Sequence, residues 1–144
     1  MIASRLALPP QPHITTYRVV YADTDKMGRV YYARYLVYFE RGRTELLRSA
    51  GFPYRMLEEH GLFLPVRRCE ICYLGYAVYD DELHIATWVR RVRHATVIIA
   101  NAICRPPEPR PLVWGEVELA SIDAQGRPQA LPAKVVEALG KYLF

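Results

Sequence analysis

A chain of 144 residues that is 51% hydrophobic can bury a sizeable core without disulfides or a structural metal, and it reads as one domain over 15–144 behind a loose arm at 1–14. Its 19 basic and 15 acidic residues leave a net charge of +4, spread along the chain rather than gathered in a tail. That balance is too modest and too interspersed for a nucleic-acid-binding module to lead, and it fits an anionic small molecule equally well.

Three cysteines are an odd number, and the spacing of Cys69 and Cys72 in a strand-like run points them to opposite faces. A redox pair or zinc clip is therefore not expected. His13, His60 and His84 are too dispersed for a metal site, so no cofactor is expected. Pro9, Pro10 and Pro12 break the arm well short of a membrane span. Reduced cysteines and the lack of a signal peptide point to the cytoplasm.

In chain order, Thr15 to Ala22 alternates as a half-buried strand, with Tyr17, Val19 and Tyr21 on one face. Leu36, Phe39, Leu46, Leu47 and Ala50 then recur at helical spacing, opposed by Arg41, Glu45 and Arg48. Arg41 and Glu45, four apart, are placed to pair. Gly42 inside this helix costs about 1 kcal/mol relative to alanine, a cost explained if a sheet or helix must approach closely there. Gly51 and Pro53 stop the helix, and 53–60 forms a short second one.

Everything after Gly61 reads as antiparallel sheet. The runs are 64–78, divided at Gly75, then 83–91, the strongly apolar and hence central 95–104, and 112–122. The proline-rich segment 105–111 is a loop, and 132–143 closes the chain with a short helix. One long helix with one antiparallel sheet is an α+β arrangement in which five strands must curl around the helix to cover its apolar face.

The stretch Tyr21 to Tyr35, YADTDKMGRVYYARY, joins the first strand to that helix and holds two carboxylates, Asp23 and Asp25, with Gly28 at a turn. Carboxylates in front of a helix ordinarily cap its orphan N–H groups. At such a junction one can instead act on a carbonyl whose oxygen is held by a helix N–H. Tyr31, Tyr32, Tyr35 and Tyr38 serve either packing or substrate contact. Glu40 and Arg43 have the spacing of a surface ion pair, and Glu40 could alternatively face the pocket of a neighbouring subunit. Arg90, Arg91 and Arg93 form the densest basic cluster, either a charged sheet edge or a phosphate patch.

The junction DTDKMG-V-Y-Y---Y resembles the hot-dog-fold acyl-CoA thioesterases of the 4-hydroxybenzoyl-CoA thioesterase family, and within it the Tol-Pal-associated branch. The similarity continues through FERGRTELLR, GFPY, Tyr79-Asp80-Asp81-Glu82-Leu83, Gly126-Arg127-Pro128 and Ala130-Leu131-Pro132, so it covers nearly all the chain from Thr15. It implies a five-stranded hot-dog fold hydrolysing an acyl-CoA thioester without a metal, as a homodimer or homotetramer with pockets between subunits.

The resemblance assigns the catalytic carboxylate to Asp25 and the carbonyl-polarising backbone N–H to Tyr32. Val30, Tyr31 and Tyr35 follow as substrate contacts. Arg90, Arg91, Arg93 and His94 match the turn that holds coenzyme A phosphates. Tyrosine stands at 32 where many of the branch carry histidine, which preserves a main-chain donor but removes any imidazole role. Arg34 stands where asparagine is common. The alternatives are an acyl-carrier-protein thioesterase, a hot-dog hydratase, disfavoured because no histidine stands near Asp25, and a non-catalytic acyl-binding protein.

Overall fold

The structure, a computed structural model, describes residues 7–144. Of the expected arm, residues 1–6 lie outside the described residues, whereas Leu8 packs against the sheet and strand β1 already begins at His13 (His13–Arg18). The alternation reaches Ala22 in the sequence, but the strand ends at Arg18. Asp23 turns back to accept the Val20 N–H at 3.1 Å and closes a 3-10 turn over Tyr21–Asp23. Tyr21 consequently leaves the strand face, stands 73% exposed, and stacks on Tyr79 with ring centroids 3.8 Å apart.

Helix α1 (Arg34–Ser49) buries Tyr35, Tyr38, Phe39, Gly42, Leu46 and Leu47. Counted from Tyr35 this is the i, i+3, i+4, i+7 stripe of an amphipathic helix, which turns Leu36 outward at 40% exposure instead of into the core. The Arg41–Glu45 pair does not form either. Glu45 pairs with Arg48 at 3.3 Å, and the Arg41 guanidinium lies 4.9 Å from the centre of the Tyr17 ring. A short helix α2 (Tyr54–Glu59) follows.

The remaining strands are β2 (Val66–Tyr73), β3 (Glu82–Val92), β4 (Thr96–Cys104) and β5 (Val113–Ala120), and helix α3 (Ala133–Leu139) ends the succession of strands and α-helices. They form one sheet of order β1-β3-β4-β5-β2, antiparallel at every pairing, with β4 central as its apolar sequence indicates. Its inner face, including Leu83, Ile85, Val89, Ile99, Ile103 and Val117, packs with α1 into one core. Period-two alternation puts Ala86 and Trp88 on the opposite face, where they cluster with Ala100, Ala102 and Trp114.

Gly42 explains how the helix sits so near the sheet: a Cβ there would collide with Thr87 Oγ1 and lie 2.8 Å from Ile85 Cγ2. Cys69 pairs opposite Val117 and Cys72 opposite Trp114, so the two thiols do occupy opposite faces, and all three cysteines are free. Among the described residues no helix is long and apolar enough to cross a membrane.

One departure from the sequence pattern shapes the site. The apolar run 64–78 continues as strand only to Tyr73, because Leu74 and Gly75 both donate their N–H groups to the Leu112 oxygen at 2.8 Å, which ends the ladder. Residues 74–78 then cross to the 20–32 loop, where the Ala77 oxygen accepts the Val30 N–H at 2.9 Å.

Candidate active site

Asp25 sits in a turn of its own making. Its Oδ1 accepts the N–H of Met27 at 2.9 Å and of Arg29 at 3.4 Å, its main-chain oxygen accepts the Gly28 N–H, and Gly28 takes a left-handed φ of 78°. That conformation is cheap only for glycine. The turn's second arm returns antiparallel to the first through Thr24 and Val30. Asp25 is half-buried, and its Oδ2 has no partner among the described residues.

Asp23 differs on both counts. It is 4% exposed, its Oδ2 accepts from the Tyr17 hydroxyl at 2.5 Å and from Val20, and its Oδ1 lies 3.6 Å from Arg34 Nε. Of the two carboxylates, Asp25 is the one with an oxygen that makes no contact among the described residues. Asp23 serves as a cap, though of the 3-10 turn rather than of α1.

A cavity of about 460 Å³ is lined by Asp25, Met27, Arg29, Val30, Tyr32, Tyr35, Tyr73, Leu74, Gly75 and Tyr76. Four of the residues singled out from sequence therefore meet there: Asp25, Val30, Tyr32 and Tyr35. Tyr32 lies two residues before α1, and its N–H has no acceptor among the described residues, while its oxygen accepts from the Tyr73 hydroxyl at 2.9 Å. Tyr35 is buried against the cavity's inner side, and burial holds its hydroxyl above the usual tyrosine range. Tyr31 is not among the lining residues; its ring packs on Tyr32 at 4.8 Å, and its hydroxyl is raised chiefly by hydrogen bonding with that neighbour.

Six lining residues are not indicated by the sequence: Met27 and Arg29 in the Asp25 turn, and Tyr73, Leu74, Gly75 and Tyr76 because the run 64–78 reads as strand. The division at Gly75 was the available signal. Arg29, also on the cavity lining, has its guanidinium 3.8 Å from the Tyr76 ring centre.

The basic turn lies elsewhere in the same chain. Arg93 and His94 follow β3, whose first residue Glu82 adjoins the 79–81 turn that hydrogen-bonds Val19 near the Asp25 loop. Eleven residues of strand separate those ends by roughly 33 Å. Arg91 and Arg93 line a different hollow, of about 270 Å³, with Arg68, Glu70, Glu116 and Glu118. Arg90 is engaged with Glu116 at 3.2 Å and the Phe144 oxygen at 3.0 Å. Arg34 replaces the asparagine of the resemblance with a contact of its own, donating to the Ala22 oxygen at 3.3 Å.

With this geometry in hand, comparison with known proteins is specific. Residues 19–139 match the family model described as the thioesterase-like superfamily. The acyl-CoA thioesterase YbgC of Haemophilus influenzae is 39% identical over 123 residues, 84% of this chain and 89% of the relative. A probable thioesterase from Bartonella henselae superposes with a TM-score of 0.80 at 40% identity, covering 85% of this chain and all of that one. A DHNA-CoA thioesterase from Staphylococcus aureus gives 0.83 at 27% identity, covering 89% and 88%. A family match over most of the length, a relative of this identity and the same sheet wrapped on one helix agree: the chain belongs to the thioesterase-like superfamily.

Proposed function

We propose that this protein hydrolyses an acyl-CoA thioester to the free acid and coenzyme A, with Asp25 as the reacting carboxylate and the Tyr32 N–H as the donor to the carbonyl oxygen. The observation that carries the reading is the coincidence, on one cavity, of a carboxylate with a free oxygen and a residue with a free main-chain N–H. The curated relatives that carry the name acyl-CoA thioesterase support the substrate class.

Two routes use the same groups. Attack by Asp25 Oδ2 forms a mixed anhydride and expels the thiolate, after which water cleaves the anhydride. Alternatively Asp25 takes a proton from water as the water adds to the carbonyl, and that proton passes to the departing sulfur. In both, negative charge builds on the carbonyl oxygen, and a fixed N–H donor there contributes about 3 kcal/mol to the transition state.

Arg90, Arg91, Arg93 and His94 serve the coenzyme A phosphates only from a second copy of the chain, given their distance from Asp25 within one. Support for that arrangement comes from β2, an edge strand of the sheet that is mostly exposed, including its last residue Tyr73. An open edge of this kind is a template for strand pairing. The assembly is accordingly a homodimer or a dimer of dimers. Free cysteines and a coenzyme A substrate agree with a cytoplasmic setting.

The test is thiol release from a panel of acyl-CoA thioesters by wild type and by Asp25→Asn. The variant should lose nearly all turnover with its unfolding midpoint held, whereas retention of most of the rate refutes the assignment. Acyl carrier protein is the competing thiol partner, with the basic turn meeting an acidic protein surface. Rates on coenzyme A and carrier-protein thioesters of one acyl group decide between them, and tight binding without turnover would mark a non-catalytic acyl-binding protein.

A further inference from the structure

Resting on the reading of Asp25 and Tyr32 above, we propose that Asp23 is a positioning residue: its charge, acting through Arg34, holds the first turn of α1 and with it the Tyr32 N–H in place against the Asp25 loop. Asp23 touches neither the cavity nor any expected position of substrate. What it touches is β1, the 3-10 turn, the chain just before Tyr32 and the first residue of α1.

Its side chain accepts from Tyr17 on β1 and from Val20 in the 3-10 turn, and faces Arg34, the first residue of α1, at 3.6 Å. Its main-chain oxygen accepts the Tyr31 N–H at 2.8 Å, directly before Tyr32. Arg34 in turn donates to the oxygen of Ala22. The loop bearing Asp25 is thus tied at its start to the strand and at its end to the helix, and one carboxylate makes both ties.

A buried carboxylate is an expensive way to achieve mere stability, since desolvation offsets much of what an ion pair contributes. A rigid tether is a different matter, because misplacing a catalytic group by about 1 Å costs on the order of a hundredfold in rate. Arg34 is the informative partner. Its side chain is 40% exposed, so losing the pair returns it to water rather than leaving an unpaired buried charge.

Asp23→Asn separates the tether from the rest. Both existing bonds at Oδ2 survive with the amide oxygen in that place, whereas Arg34 then meets an NH2 donor instead of an acceptor. Turnover of an acyl-CoA thioester, measured well below each variant's unfolding midpoint, should show kcat reduced about tenfold to a hundredfold with KM within about threefold of wild type. Arg34→Met removes the same pair together with the bond to the Ala22 oxygen, so it should fall at least as far. Asp23→Asn/Arg34→Met should fall no further than Arg34→Met, because the Asp23 substitution then has no pair left to break.

A kcat within about twofold of wild type, a change confined to KM, or single effects that multiply in the double variant would each overturn the proposal. If Asp23→Asn fails to fold, Arg34→Met decides alone by the same kcat and KM criteria. Turnover that survives Asp25→Asn would instead sink the assignment of Asp25, so the two failures read differently.

Discussion

The hydroxyl of Tyr35, in the first turn of α1, accepts the main-chain N–H of Ala77 at 3.0 Å in the interior of the protein. It is the side-chain bond that fastens the 74–78 crossing to the helix, and Ala77 is 0% exposed. Tyr35→Phe leaves that N–H without an acceptor in a place water does not reach, at a cost of about 1–3 kcal/mol. The expected result is a lower urea midpoint together with a raised KM, as one wall of the cavity loosens. An unchanged midpoint would mean that the segment is held by its other contacts.

Gly42→Ala sets two effects against each other. Alanine improves helix propensity by about 1 kcal/mol, while overpacking costs about 1–3 kcal/mol. The colliding atoms belong to Thr87, Ile85 and Asn101, all on central strands with no freedom to swing aside. Overpacking should win, and equilibrium unfolding should show a net loss. A gain in stability would mean that α1 lifts from the sheet without penalty.

Two buried tyrosines and one partly buried one set a limit on alkaline stability. Burial is the first cause that raises the hydroxyls of Tyr17, Tyr35 and Tyr38 above the ordinary 10.0, and the charge of Asp23 adds to it at Tyr17 and Tyr38. The unfolded chain then releases these protons at lower pH than the folded one, so stability is intact below about pH 10 and falls as pH rises beyond it. Urea unfolding at pH 8 and at about pH 10.5 measures the decline. Tyr38→Phe should flatten the decline, since it removes one of the three raised hydroxyls.

Arg93→Ala tests the basic turn and the assembly together. It should raise KM for a coenzyme A thioester more than for the matching pantetheine thioester, which lacks the nucleotide phosphates. Equal effects would remove the phosphate role. Light scattering should report at least a dimer, because Arg93 follows the far end of β3 from the 79–81 turn that bonds Val19 near the Asp25 loop in one chain. A monomer with a selective Arg93 effect would contradict the shared site.

Much of this protein is written in neighbouring residues. The alternation of Leu83 to Val89, the stop at Gly51 and Pro53, the proline loop at 105–111 and the close approach at Gly42 are short-range features, and the fold repeats them. Physics at that range marked the junction, where two carboxylates, a turn glycine and a helix start are adjacent in the chain, while the resemblance chose Asp25 and the Tyr32 N–H from it. The phase of α1 differs from the sequence pattern at Leu36, because Tyr35 and Tyr38 compete with leucine for the inner face and only the packing against the sheet chooses between them.

What the tertiary structure alone decided is which groups are spent and which are free. Asp23 and Asp25 are two residues apart and chemically identical, yet Tyr17, Val20 and Arg34 engage both oxygens of the first while the second keeps one unclaimed among the described residues. The wall formed by residues 73–76 and the remoteness of the arginine turn belong to the same class. Each depends on contacts between segments distant in sequence, and such contacts leave no periodicity in the chain for a reader to find.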